Sequence, residues 1–457
     1  MSLELTYKSG SLCLLGSHAE EKFGSYWLWD DRSKYFRSFA ANYRKVLLEL
    51  KDSTHAFEDK ARAYLTHEFT FLKAPQPRKH QTAALEAWIK ADMCGTICLP
   101  TGAGKSILAL MIIEYTKRPS LIVVPTIDLM LQWQSLVKEY FAIDAGMLGG
   151  GLSTINELTI ATYDSAALHF EKLGNKFGLL IFDECHHLPA PQYMKIAKGS
   201  LAPFRLGLSA TVQRSDQKET LIFEYVGPLV YEASIHEMVD VHLSPYKIVT
   251  IEVAMSEKER AAYDQARELY LNFIRKNGIQ ISTPNGWQNF IMLSARSPSG
   301  KIAMQAYQTQ KKLAQAAQGK LYFLWQIIRD HAAERMIVFT DNNHFAYFLG
   351  RTFLLPVLTH HTKAAERKRM LDEFKSGAIN ILITSKVLNE GVDVPEASVA
   401  VIMSGSATVR EHVQRLGRIL RHREGKQAIL YELIAKDTSE KYVNIRRRQH
   451  DAYKRPH

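Results

Sequence analysis

From residue 78 onward the chain alternates short apolar runs with longer stretches of helical spacing. Apolar runs at 95–99, 121–124, 158–161, 179–182 and 206–209 have the length of strands. The stretches 80–90, 105–116 and 127–141 between them repeat apolar positions at helical period. Strands that alternate with helices in this way predict a parallel α/β sheet with its loops gathered along one edge. A second set follows, with strands near 336–339, 379–384, 398–403 and 427–433 and helices at 343–351, 364–375 and 409–421. Between the two sets, 256–329 reads as helices rich in Ala, Gln and Tyr, broken at Ser282-Thr283-Pro284-Asn285-Gly286 and Ser297-Pro298-Ser299-Gly300. It is expected to be a helical insertion at the start of a second domain; ordinary core helices are the alternative. Ahead of residue 78, Tyr26 to Asp31 reads as a strand and turn. From Tyr35 to Leu50, the spacing of Phe36, Phe39, Ala40, Tyr43, Val46, Leu47 and Leu50 predicts a helix. The expected domains are 1–74, 75–240 and 241–457, with Pro75-Gln76-Pro77 at the first boundary.

Composition narrows the class only a little. A chain of 457 residues, 46% hydrophobic and 23% charged, is ordinary globular protein with room for about three domains. No apolar stretch reaches the roughly 20 residues needed to cross a bilayer. The opening Met1-Ser2-Leu3-Glu4 lacks the layout of a signal peptide. A cytoplasmic protein is expected, or a nuclear one in a eukaryote. Four cysteines are too few for a disulfide framework, and Cys94 and Cys98 have no second ligand pair that would make a metal site. Charge is uneven. Residues 1–300 balance 32 basic against 32 acidic side chains, while 301–457 carry 26 against 15. The whole excess of +11 lies in the last third. A one-sided basic surface attracts polyanions, nucleic acid first among them.

Two strings carry chemistry. Leu99-Pro100-Thr101-Gly102-Ala103-Gly104-Lys105-Ser106 lies between a strand and a helix, the setting of a phosphate-binding loop, although Leu99 stands where the full pattern has its first glycine. Glycines there let backbone N–H groups turn toward phosphate, Lys105 can reach the β/γ-phosphates of ATP, and the Ser106 hydroxyl can ligate Mg²⁺. Asp183-Glu184-Cys185-His186 ends another apolar run, so Asp183 can hold Mg²⁺ while Glu184 polarises the attacking water. In Gln414-Arg415-Leu416-Gly417-Arg418-Ile419-Leu420-Arg421, a helical setting puts Gln414, Arg418 and Arg421 on one face. Arginines there can stabilise charge on a transferring phosphate.

Through these strings the chain resembles the superfamily two helicases of the DEAH-like type, most closely the prokaryotic XPB group of DNA helicases and translocases. The resemblance spans roughly 78 to 448 and is carried, in family order, by Arg78-Lys79-His80-Gln81, the phosphate loop, Val124-Pro125-Thr126 with Gln132-Trp133, Ala161-Thr162-Tyr163, the acidic string, and Ser209-Ala210-Thr211. In the second set it is carried by Ile337-Val338-Phe339-Thr340, Thr384, Glu390-Gly391-Val392-Asp393-Val394-Pro395 and the arginine helix. It implies two RecA-like parallel-sheet domains with a small N-terminal module and a helical thumb-like insertion. It also implies roles for residues. Arg78, Gln81 and the loop residues Thr101, Gly102, Ala103, Gly104, Lys105 and Ser106 would bind nucleotide, with Gln81 on the base, and Gly391 and Asp393 would line the cleft. Asp183 would hold the metal, Glu184 would be the base, and Arg418 and Arg421 would be fingers. His186, Ser209, Thr211 and Gln414 would couple hydrolysis to movement. Thr126, Gln132, Thr162, Arg214, Asp216 and Thr384 would contact nucleic acid.

Trp29-Asp30 with Arg32, Tyr35, Arg37, Ala40 and Tyr43 resembles the group's damage-recognition module. The insertion sits where the group has a thumb that grips DNA, yet 280–295 is poor in Lys and Arg. The group's Arg-Glu-Asp element stands here as Arg214-Ser215-Asp216. The activity implied is ATP-dependent movement on DNA, 3′ to 5′, in nucleotide-excision-type repair, with a nuclease as a separate partner. An RNA helicase, a defence-system motor and a non-hydrolysing scaffold are the alternatives.

Overall fold

The structure is a computed structural model that describes residues 3–17, 21, 23–52, 56–100, 102–210, 218–233, 246–281, 283, 285–385, 397–403 and 428–440. These fall into two compact units, 3–233 and 246–440.

The first unit holds an eight-stranded sheet in the order Leu229–Glu232, Cys94–Cys98, Phe204–Ser209, Leu179–Asp183, Ser120–Val124, Leu158–Thr162, Gly146–Gly149 and Leu152–Ser153. Every neighbouring pair is parallel except the last. The strands Ser120–Val124, Leu158–Thr162 and Leu179–Asp183 are buried along their whole length, as strands covered by helices on both faces must be. Because the pairs run parallel, the loops that follow the strands share one edge of the sheet. Behind that edge, Arg205 is buried among backbone carbonyls. It donates to Ala197 (2.9 Å), Ser200 (2.7 Å), Ala202 (3.1 Å) and Tyr225 (2.6 Å), so its charge is solvated by peptide oxygens instead of water. Burial still pulls its pKa down to about 10.

A second, five-stranded sheet in this unit runs Leu28–Asp30, Tyr35–Phe39, Ser11–Leu15, Leu3–Lys8, Phe57–Asp59, and is antiparallel apart from the last pair. Here the sequence reading needs correction. The expected helix from Tyr35 to Leu50 is a strand, Tyr35–Phe39, followed by a short turn and a helix, Tyr43–Asp52. Phe36 and Ser38 face inward and their neighbours outward, the period of a strand, and both edges of the segment are paired. Apolar residues at 36, 39, 40 and 43 fit either period, and the two ladders decide. The small sheet packs its core on Leu201, and the Tyr7 hydroxyl donates to the Gly199 carbonyl (2.9 Å).

The second unit is built on six parallel strands in the order Tyr246–Val253, Ala428–Ala435, Val399–Ile402, Met336–Phe339, Ile381–Thr384, Val357–Leu358. The insertion is helical, as expected, but not to its full length. Glu257–Lys276, Gly286–Ala295 and Pro298–Gln315 close around their own core of Ala266, Tyr270, Phe273, Phe290, Ala303 and Ala306. The next helix, Gln318–Asp330, instead places Leu324 and Ile327 in the core of the sheet. Local signals set these boundaries. Ser256 and Glu259 form a capping box, and Ser297 caps a helix with Pro298 in its first turn. The fully buried Lys320 ties the last helix to the sheet through Glu440 Oε2 (2.6 Å) and the Met403 carbonyl (3.1 Å).

Candidate active site

The strand Cys94–Cys98 ends in the expected loop, and the helix Lys105–Thr116 begins at its lysine. Gly102 and Gly104 both have left-handed φ, +88° and +84°. A Cβ at Gly104 would collide with the Gln81 amide. Three consecutive loop carbonyls are held from outside by the start of the helix Lys79–Lys90. An Arg78 guanidinium N–H donates to Gly102 (3.4 Å), His80 Nε2 to Ala103 (2.8 Å) and Gln81 Nε2 to Gly104 (3.0 Å). The Ala103 N–H is spent on the Pro100 carbonyl (3.2 Å), and with its carbonyls tied on one side the loop has its remaining N–H groups for an anion. The Gln81 amide also accepts from the Arg78 backbone N–H (2.8 Å), so both its ends act on this clamp. Burial lowers the pKa of His80, which favours the neutral ring. Lys105 Nζ donates to the Leu99 carbonyl (3.1 Å).

Asp183 ends its strand as a buried carboxylate. It accepts from the Trp133 indole (2.9 Å) and from the Glu184 N–H (3.0 Å), while the Tyr163 hydroxyl donates to its backbone carbonyl (3.2 Å). Burial and the adjacent Glu184 charge push its pKa well above the usual carboxylate range, and Lys105 and Trp133 offset part of that. Glu184 sits in left-handed backbone, φ 49°, which turns its side chain to His186. His186 Nδ1 lies 3.4 Å from Glu184 Oε2 and 3.1 Å from Ser209 Oγ. Ser209 ends the neighbouring strand, so a short chain of contacts links the acidic pair to that strand's end.

This geometry fits both implied groups. The loop offers backbone N–H groups and an ammonium to phosphate. Ser106 and Asp183 offer the hard oxygens that Mg²⁺ prefers, at a place where two carboxylates are short of positive charge.

On the same edge, Thr126 and Thr162 cap helices, accepting from Leu129 N–H (3.2 Å) and Ser165 N–H (3.3 Å). Their strands pair directly, Val124 opposite Thr162. Gln132 lies half-buried on the helix that Thr126 caps. In the second unit Thr384 is fully buried, its hydroxyl donating to the Ser385 carbonyl (3.2 Å). Thr101, Thr211, Arg214, Asp216, Gly391, Asp393, Gln414, Arg418 and Arg421 lie outside the described residues. The sequence reading assigned no role to His80, Trp133 and Tyr163, which hold the loop and Asp183. It also missed Gly149-Gly150-Gly151, all at positive φ, where a Cβ on Gly149 would meet the Thr162 side chain. Their signal was adjacency: His80 precedes Gln81, Trp133 follows Gln132, and Tyr163 follows Thr162.

A parallel sheet with a glycine-rich loop between strand and helix, and a strand-end aspartate followed by a glutamate, has the layout of a P-loop nucleotide hydrolase of helicase type. Residues 303–452 match the ERCC3/RAD25/XPB C-terminal helicase family, residues 5–61 the Xeroderma pigmentosum group B helicase damage recognition domain, and residues 74–214 the type III restriction enzyme res subunit. The DNA 3'-5' translocase XPB2 of Sulfurisphaera tokodaii is 37% identical over 92% of this chain and 95% of its own length. The DNA 3'-5' helicase XPB of Mycobacterium tuberculosis is 28% identical over 79% of this chain, which spans 61% of that relative. The Hef helicase domain of Pyrococcus furiosus shares the fold, with a TM-score of 0.55 at 20% identity over 82% of this chain and 98% of that one. The chain belongs to the XPB helicase family.

Proposed function

We propose that this chain is an ATP-driven DNA motor of the XPB type that moves 3′ to 5′ and serves nucleotide-excision-type repair. The observation that carries the reading is the buried Asp183–Glu184 pair within electrostatic reach of Lys105, in a chain of this family. On arrival of ATP, Lys105 exchanges the Leu99 carbonyl for phosphate oxygen, and the clamped loop supplies its N–H groups. Ser106 and Asp183 would hold Mg²⁺, which supplies positive charge at the phosphate oxygens. Glu184 orients the attacking water, and His186 and Ser209 report its state to the next loop. Arg418 and Arg421 complete the charge stabilisation. Thr126, Gln132, Thr162, Arg214, Asp216 and Thr384 contact the DNA backbone, fixing register without reading sequence, which suits a motor.

The basic last third supplies phosphate affinity, so binding weakens steeply with salt. Among the described residues no helix is long and apolar enough to cross a membrane. We place the protein in the cytoplasm, or the nucleus of a eukaryote, with strand cleavage left to a partner nuclease.

The test is ATP hydrolysis by the purified chain alone and with single-stranded DNA, duplex DNA or RNA. Stimulation by DNA and not RNA, lost in Lys105→Ala, supports the reading. Stimulation mainly by RNA overturns it, and so does hydrolysis that no nucleic acid alters.

A further inference from the structure

Within the helical insertion lies a stretch of chain without charge. Residues 277–295, nineteen in a row, contain no Lys, Arg, Asp or Glu. On the helix Gly286–Ala295, Trp287, Ile291 and Ala295 fall one turn apart on a single face. Trp287 is 38% exposed and Ile291 is 45% exposed, both large apolar side chains left in water. Trp287 is held in place by Tyr307 and Phe290, with ring centres 4.9 and 5.3 Å away. Beside this face a shallow cleft of about 370 Å³ lies between the helix and its neighbour, Pro298–Gln315. It is lined by the apolar Ile291, Ala295 and Met304 and by Lys301 and Gln305. The Ser294 hydroxyl in its wall is spent on the Ile291 carbonyl (2.9 Å). Lys301 and Gln305 make no side-chain hydrogen bond or ion pair among the described residues.

We propose that this cleft takes an unpaired base of single-stranded DNA. The reading rests on the DNA-motor function proposed above. The lining is complementary to that ligand. The apolar side chains suit the flat face of a base, the Gln305 amide suits its polar edge, and the Lys301 ammonium suits the phosphate attached to it. The exposed face from Trp287 to Ala295 is roughly 12 Å long, the length of about three bases stacked at their usual spacing. A duplex cannot use the cleft, because its bases already stack on one another. The insertion thus holds DNA through bases, while phosphate affinity comes from elsewhere in the basic last third.

The test is fluorescence anisotropy of the full chain on a labelled oligothymidylate, on the same strand made abasic, and on duplex. The parent is expected to bind oligothymidylate about tenfold tighter than the abasic strand. Ile291→Asn and Trp287→Ala should lose that difference and bind abasic strand and duplex as the parent does. Lys301→Gln should weaken both single strands alike and flatten the salt dependence. Thermal melting that matches the parent shows that each variant folds. Equal losses on both strands in Ile291→Asn overturn the proposal, as does a parent that ignores the bases. Undiminished base dependence in both apolar variants also overturns it and leaves the face to a protein partner. Stimulated ATP hydrolysis without base dependence removes the cleft alone, whereas absent stimulation removes the motor reading beneath it.

Discussion

At the carboxyl ends of its strands, the sheet of 3–233 carries Asp183, and the sheet of 246–440 carries Asp341, immediately after Thr340. Both are buried carboxylates in parallel α/β sheets. Asp341 is closed off by the protein itself. Lys311 Nζ lies 2.7 Å from Oδ2, the Gln315 amide donates to the same oxygen at 2.7 Å, and the Asn342 amide donates to Oδ1 at 2.6 Å. Asp183 has an indole N–H and one backbone N–H, with a second carboxylate next in sequence. One acid is neutralised inside the fold; the other is left wanting a cation. The same strand-end position therefore serves structure in one sheet and chemistry in the other, and the partners decide which.

The contrast can be broken most severely at the ammonium. Lys105→Ala should lower ATP hydrolysis about a thousandfold or more, with melting little changed, measured as steady-state turnover. The paired substitutions Asp183→Asn and Asp341→Asn sharpen it. The first should abolish hydrolysis and leave stability intact or improved, since it removes a repelled buried charge. The second should retain hydrolysis and lose about 1 kcal/mol of stability, since the half-exposed Lys311 loses its carboxylate but still reaches water, read by denaturant melts. Opposite results would mean that the two acids have been assigned the wrong way round.

Trp133→Phe is smaller, a fall of about tenfold in kcat with KM nearly unchanged. Because the indole bond lowers the Asp183 pKa, its loss should move the acidic limb of the pH–rate profile to higher pH. An unmoved limb would show that Asp183 does not govern it. The smallest effect is at His80. Its folded pKa lies below the ordinary 6.5, so the neutral ring's contribution is present above that value and is lost as pH falls through it. His80→Gln keeps an N–H donor and should flatten the loss of melting temperature between pH 7.5 and 5.5, relative to the parent.

Much of this was legible in the chain. The strands ending at Cys98, Val124, Thr162, Asp183 and Ser209 show as apolar runs because parallel strands buried on both faces have no polar side to show. The loop before Lys105 shows because left-handed backbone calls for glycine. Tyr35–Phe39 was misread because a five-residue strand next to a helix offers too few residues to separate period two from 3.6. The roles of His80 and Trp133 were hidden because each acts on a group far away in sequence, a carbonyl at Ala103 and a carboxylate at Asp183.

The sequence by itself determined the class of the protein: the order of its motifs, the residues able to meet phosphate and metal, and the one-sided charge. Those properties depend on residue type and short spacing, which the chain carries directly. Only the tertiary structure decided which carboxylate is left unneutralised, that three successive loop carbonyls are clamped by one helix start, and that an uncharged helix face lies open beside a cleft. These depend on which distant groups meet, and a meeting of that kind is set by packing and burial, not by local pattern.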